Sequence, residues 1–188
     1  MGKRMIIVEG PDGAGKSTLV EQLIKKFPVV EGTRGVEDRD KLWEVTKSDT
    51  YRAISEAFTD GLAPRVWDRL FWSEFAYYSI TPRDIQFNEQ DIATIPQTFK
   101  AMKAPVIFCM PPFAQVEANV NKVHQMRGVK THIEDIYTTY ENMLRDERYI
   151  PAGLNLMRYD YSATDARDVR HQIFGRIEAY LEVRQVKA

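Results

Sequence analysis

The stretch from Met5 to Lys26, MIIVEGPDGAGKSTLVEQLIKK, puts an apolar run, a glycine-bearing turn and an amphipathic segment in immediate succession. Within it Gly10 to Ser17, GPDGAGKS, satisfies G-x-x-x-x-G-K-[ST]. That spacing has a physical meaning. Gly13 and Gly15 let the backbone curl until successive N–H groups converge on an anion, and the helix that follows adds the positive end of its dipole. The loop so formed, Gly10, Asp12, Gly13, Ala14, Gly15, Lys16, Ser17 and Thr18, is expected to cradle the phosphates of a nucleoside triphosphate. Lys16 would reach the β and γ phosphates, and the Ser17 hydroxyl would be a ligand of the magnesium ion bridging them. The context agrees with the motif: Leu19, Leu23 and Phe27 recur four residues apart with Val20 and Ile24 beside them, the pattern of a helix packed on a sheet.

A chain of 188 residues, 44% of them hydrophobic, builds one well-buried core, so a single domain spanning 1–188 is expected. With 26 basic and 27 acidic residues the charge is balanced, which argues against a nucleic-acid partner. Cys109 lies inside the apolar run PVIFCM and reads as a reduced core residue. The longest apolar runs are too short to span a bilayer, and the first residues lack the apolar stretch and small-residue cleavage site of a signal peptide. A cytoplasmic protein without a membrane partner is the expectation. Ile6 stands where a myristoylation signal requires Ser or Thr, which removes that reading of Met1-Gly2.

Five short apolar runs separated by helical stretches read as strands: Arg4 to Val8, Val29 to Glu31, Arg65 to Trp67, Val106 to Met110, and Asn155 to Tyr159. Such alternation implies a three-layer α/β fold, a central five-stranded parallel sheet with helices on both faces. Ligands of these sheets gather beyond the carboxyl ends of the strands. After the second run comes EGTRGVEDRDK and then a helix from about Lys41 to Phe58, carrying Arg34, Arg39, Lys41 and Arg52 with Trp43, Tyr51 and Phe58. Trp43 and Arg52 are candidates for contact with a second substrate; the competing readings are a packed aromatic and a solvated charge. The third run ends on Asp68-Arg69, where a carboxylate can face a magnesium-bound water and a guanidinium fork matches phosphate oxygens.

With VEGPDGAGKST at 8 to 18, DRLFWSEFAYY at 68 to 78 and a basic segment near 122 to 130, the chain resembles the thymidylate kinase and deoxynucleoside monophosphate kinase family of P-loop kinases. That family reads EG-x-(D/E)-G-x-GK and then DR-Y-x-x-S-x-x-AY-(Q/N). Asp68, Arg69, Ser73, Ala76 and Tyr77 match; Leu70 and Tyr78 do not. The resemblance implies the P-loop NTPase fold and assigns roles residue by residue. Asp12 faces the acceptor sugar and helps organise magnesium, Arg69 holds the acceptor monophosphate, and Asp68 lies near the metal. Tyr77 crowds the 2′ position and favours deoxyribose. Tyr78 replaces the amide that reads the base, and the Arg-Glu-Pro-Gly-Gly-Thr loop of the family is missing after the second run. With Gly at position 13, the resemblance places the catalytic arginine in a lid, at Arg127. It also sets the turn Tyr159 to Asp165 beside the adenine of the donor.

Further along, Thr81-Pro82-Arg83-Asp84 has the makings of a helix start. Pro111-Pro112 breaks the chain before a helix from Phe113 to about His124. The basic segment Asn121 to Lys130 follows, and Thr131 to Glu134 resembles a capping box. A basic connection between two helices suits a phosphate-closing lid, here about 113–132. His124 and His132 read as surface residues. Ile136, Tyr137, Tyr140, Met143 and Leu144 form a packing face.

The expected activity is transfer of the γ-phosphoryl of ATP, with magnesium, to the phosphate of a deoxynucleoside monophosphate. Lys16, Arg127, Asp68 and Arg69 form the catalytic set, Ser17 and Asp68 the metal set. Asp12, Arg69, Ser73, Tyr77, Trp43 and Arg52 are the acceptor candidates, and a homodimer is a candidate assembly. Two other readings stay open: a deoxynucleoside kinase with a hydroxyl acceptor, which the related enzymes mark with Glu-Arg-Ser, and a regulatory ATPase with a protein partner.

Overall fold

A computed structural model describes residues 5–33, 35, 41–80, 84–122 and 127–182, with backbone alone at 42, 43 and 182. Five strands, β1 (Met5–Glu9), β2 (Val30–Glu31), β3 (Arg65–Asp68), β4 (Val106–Cys109) and β5 (Leu156–Tyr159), pair in parallel in the order β2-β3-β1-β4-β5. Each lies within a residue or two of its run in the sequence; Arg4 falls outside the described residues, and β1 and β3 run on to Glu9 and Asp68. Every residue of β1 and β4 is buried, as strands covered on both faces require.

The covering layers follow from the aromatic residues. On one side Phe27, just after α1 (Lys16–Lys26), meets Phe174 of α7 (Ala166–Glu182) edge to face at 5.8 Å. A second group gathers around Trp72 of α3 (Phe71–Ala76), which packs on Phe99 of α4 (Glu89–Ala101) at 5.5 Å and on Phe108 of β4 at 5.4 Å. Tyr140 of α6 (Val129–Met143) adds to it through Phe108 at 6.1 Å. Cys109 is fully buried and burial pushes its thiol up to about 12, so it is a reduced core residue as its sequence setting suggested. Among the described residues no helix is long and apolar enough to cross a membrane.

Two helix starts differ from the sequence reading. Thr81, Pro82 and Arg83 lie outside the described residues, Asp84 is not helical, and α4 begins at Glu89. Its cap is Asn88, whose side chain accepts from Asp91 N at 2.9 Å while the Asp91 carboxylate accepts from Asn88 N at 3.0 Å. The reciprocal pair satisfies two N–H groups that the helix leaves bare, and it sits directly before the apolar positions Ile92, Ile95 and Phe99. Likewise α6 starts at Val129 behind Gly128, whose φ of 86° is a turn into the helix that a Thr131 cap does not supply. Its backbone departs from helical values at His132 (φ −114°, ψ 17°).

α2 (Leu42–Phe58) is fixed to the short β2 edge through Trp67. The Arg52 guanidinium lies 5.6 Å from the Trp67 ring centre and also donates to the Thr33 carbonyl. Gly32 abuts the same ring: a Cβ there would stand 2.3 Å from Trp67 Cδ2. A rigid, buried indole cannot yield as a flexible side chain would. Gly32→Ala is therefore expected to lower the unfolding free energy by about 1–3 kcal/mol in a urea titration, the range for overpacking a filled site; a shift within error would show that Trp67 has room to move.

Candidate active site

The loop between β1 and α1 holds its shape through Gly13 (φ 77°) and Gly15 (φ 82°), left-handed values that turn consecutive N–H groups to one side. Space is as restrictive as angle. A Cβ at Gly13 would meet Val116 O of α5 (Phe113–Lys122) at 2.8 Å, and one at Gly15 would meet the Tyr161 ring at 2.8 Å. Asn119 of α5 fastens the arrangement, donating to Gly13 O at 2.9 Å and to the Tyr161 hydroxyl at 2.5 Å. Lys16 is buried and donates to Pro11 O at 2.8 Å. Burial and the Arg69 charge lower its pKa, against the carboxylates of Asp68 and Asp12.

The exposed Ser17 hydroxyl reaches Asp68 Oδ2 over a long 3.5 Å, and Asp68 Oδ1 is buried with no hydrogen-bond partner. A hydroxyl beside an unspent carboxylate oxygen is the hard donor set that magnesium takes, with phosphates and waters completing the shell. Among the described residues no group of three or more His, Cys, Asp or Glu is placed to hold a metal alone. Magnesium therefore fits here only together with a nucleotide.

At the neighbouring strand end, Arg69 adopts φ 71° and turns its guanidinium onto Asp12, with Nη2 at 2.7 Å from Oδ1. The Tyr77 hydroxyl donates to Asp12 Oδ2 at 2.9 Å, and the Arg69 guanidinium lies 4.6 Å from the Tyr77 ring centre, within cation–π range. Burial pushes the Asp12 carboxyl up, but the charges of Arg69 and Lys16 and the bonds from Arg69 and Tyr77 outweigh it and bring it down to about 2. Asp12, Arg69 and Tyr77 thus come together, although they stand far apart in the chain.

The remaining candidates fall elsewhere. Ser73 is buried, and its hydroxyl lies on Glu9 at 2.7 Å and Tyr140 at 2.9 Å beneath the loop. Arg52 pairs with Asp49 at 2.7 Å, and Asp49 in turn accepts from Gly35 N at 3.2 Å, so α2 is tied to the chain after β2. Trp43 belongs to α2, but its side chain lies outside the described residues, as do Arg34 and Arg39. Of the lid segment, Val123, His124, Gln125 and Met126 lie outside them too. Arg127 is exposed in the turn before α6. Glu9, Asn119, Tyr140 and Tyr161 carry contacts that the sequence reading did not assign. Beside Gly15 a cavity of about 510 Å³ is lined by Gln115, Asn119, Tyr161, Arg167 and Arg170 among others.

Asp12 makes a pH prediction. Its folded pKa of about 2 lies below the ordinary 3.8, so its ionised form stabilises the fold above 3.8 and that contribution fades as the pH falls toward 2. Asp12→Asn is expected to be less stable than the parent near neutral pH, with the gap closing between 3.8 and about 2. A gap of constant size across that window, in denaturation followed at each pH, would mean the carboxylate is not ion-paired.

No family model matches the chain, and no curated protein matches it in sequence. Solved structures do resemble it over nearly its whole length. The YorR protein from Bacillus subtilis, solved in complex with phosphorylated GDP, is 22% identical with a TM-score of 0.63, covering 93% of this chain and 95% of its own. Deoxyadenosine kinase from M. mycoides, solved with dCMP and dCDP, is 15% identical with a TM-score of 0.61, covering 93% and 99%. Thymidylate kinase from Candida albicans is 16% identical with a TM-score of 0.59, covering 95% and 92%. At such identities the likeness is one of fold. The parallel sheet, the glycine-bearing loop after β1 and the enclosing helices give this chain the P-loop NTPase fold.

Proposed function

We propose that the chain is a magnesium-dependent kinase that moves the γ-phosphoryl of ATP onto the phosphate of a deoxynucleoside monophosphate. The observation that carries this reading is the approach of two largely buried cations from different elements. Lys16 comes from the donor loop and Arg69 from the end of β3, where its guanidinium lies 2.7 Å from Asp12 of that same loop. Asp12 offsets part of this positive charge, and the two phosphates of a phosphoryl transfer would supply the remaining anions, one on each side.

In the reaction an acceptor phosphate oxygen forms a bond to the γ-phosphorus while the bond from that phosphorus to the β–γ bridging oxygen breaks, releasing ADP. The acceptor oxygen is already anionic at neutral pH, so positioning and charge stabilisation suffice. Lys16 holds the β and γ phosphates, and Arg69, braced by Asp12 and Tyr77, holds the acceptor phosphate in line. Ser17 and Asp68 would hold magnesium, which when bound neutralises charge on the phosphates. Because α5 fills the space at Gly13, a catalytic arginine is not accommodated at that position; Arg127 in the turn before α6 is the proposed source. The cavity beside Gly15, under Tyr161, takes the donor base. Tyr77 crowds the sugar and favours deoxyribose, following the resemblance. Tyr78 is exposed where an amide would read the base, so no base is assigned.

A deoxynucleoside kinase is the nearest rival, and the likeness to deoxyadenosine kinase keeps it in view. A hydroxyl acceptor needs a general base. Asp12 is a poor one, since both its oxygens are engaged and its pKa is brought down to about 2. A regulatory ATPase would turn over without any small acceptor.

An ADP-release assay with ATP, magnesium and a panel of deoxynucleosides, their monophosphates, ribonucleotides and no acceptor separates the three. Turnover is expected with deoxynucleoside monophosphates; turnover only with nucleosides, or equal turnover with nothing added, would overturn the reading. Lys16→Met and Arg69→Ala are each expected to lower kcat/KM by at least about a hundredfold, the scale for losing a preorganised charge. Arg127→Ala should lower kcat more than it raises the acceptor KM; the opposite pattern would make Arg127 a binding residue.

A further inference from the structure

Glu9 ends β1, and no step above uses it. Its side chain is fully buried. Oε1 accepts from Leu70 N at 2.7 Å; Oε2 accepts from the Ser73 hydroxyl at 2.7 Å and from the Tyr140 hydroxyl at 3.1 Å. A buried carboxylate is tolerated only where hydrogen bonds replace the water it has lost, and here donors from the β3–α3 turn, α3 and α6 do so. Burial raises its pKa, and those donors and the Arg69 charge offset only part of that rise.

The bond to Leu70 bears on function. The residue before Leu70 is Arg69, whose φ of 71° is left-handed, a conformation that costs a residue with a Cβ about 1 kcal/mol or more. Such a conformation persists where its surroundings enforce it. Arg69 N donates to Val8 O at 2.8 Å, and the next N–H donates to Glu9. Consecutive residues of β1 therefore grip the peptide groups on both sides of Arg69.

We infer that Glu9 is a positioning residue for the acceptor site: its carboxylate pins the Leu70 peptide, keeps Arg69 turned onto Asp12, and through Tyr140 joins that turn to α6, the helix after Arg127. The kinetic consequence rests on the proposed role of Arg69 as holder of the acceptor phosphate; the structural consequence does not. A carboxylate that merely filled the core would cost stability when changed, without singling out one substrate.

Two measurements test this separately. In steady-state kinetics with ATP and the deoxynucleoside monophosphate turned over fastest by the parent protein, Glu9→Gln is expected to raise the acceptor KM at least about tenfold and the ATP KM by less than about threefold. Equal rises in both would overturn the inference. Tyr140→Phe, which removes one donor and keeps the ring, should show the same asymmetry at smaller size and serves if Glu9→Gln does not fold; an unchanged acceptor KM in that variant would overturn the inference. The second measurement is a stability cycle read in urea without substrate. Glycine takes φ 71° freely, so Glu9→Gln should perturb the unfolding equilibrium at least about threefold less in an Arg69→Gly background than in the parent. Strict additivity would overturn the inference. If the parent protein shows no acceptor-dependent turnover, the proposed function fails, and the cycle alone decides the role of Glu9.

Discussion

The ion pair between Asp12 and Arg69 joins the two halves of the site. Asp12 belongs to the loop that follows β1, Arg69 to the turn that follows β3, and the register of the parallel sheet sets Val8 opposite Asp68 so that both turns open at the same edge. Their 2.7 Å contact survives because each group is otherwise engaged: Asp12 also accepts from Tyr77, and Arg69 lies against the Tyr77 ring. Removing either partner would leave a charge in a partly buried place with its counter-ion gone, which costs more than the pair itself contributes. That asymmetry makes the pair a fixed point against which Lys16 on one side and, in the proposed reaction, an acceptor phosphate on the other are set.

The surrounding packing serves the same edge. Asn119 holds α5 to Gly13 O, Tyr161 covers Gly15, and Glu9 lies under the turn that carries Arg69. Each contact restricts a glycine or a left-handed residue, positions where the backbone alone would have most freedom. In the reading advanced here, catalysis asks little covalent chemistry of the protein, so rigidity of these turns is the main thing the fold can contribute.

Much of this was legible in the chain. The five apolar runs lie within a residue or two of the strands; for β1 and β4 the reason is burial on both faces, which leaves a continuous apolar signature, whereas both residues of β2 are exposed. GPDGAGKS and the Asp68-Arg69 pair could be read because they are local in sequence and sit where strands end. Two helix starts are not legible locally: Ser79, Thr81 and Asn88 all offer a cap before α4, while α6 opens on Gly128 with no side-chain cap, so the motif at Thr131 does not mark its start. Glu9 and Asn119 are unassigned in the sequence reading, and Tyr140 and Tyr161 enter it only as part of a packing face and of the turn Tyr159 to Asp165, because the partners of all four lie far away along the chain. Glu9 meets Tyr140 across 131 positions, a separation at which periodicity and motif spacing carry no information. The one local clue was a charged residue closing an otherwise apolar strand, and a buried carboxylate in that place calls for donors from somewhere.

In the proposed reaction phosphorus moves between two phosphates held by Lys16 and Arg69. Phosphorus-31 NMR of the protein with ATP, magnesium and an equimolar set of deoxynucleoside monophosphates observes that transfer directly. The proposed reaction requires loss of one monophosphate signal with growth of the paired resonances of a new diphosphate beside those of ADP. Growth of inorganic phosphate alone, with every monophosphate signal intact, would contradict it.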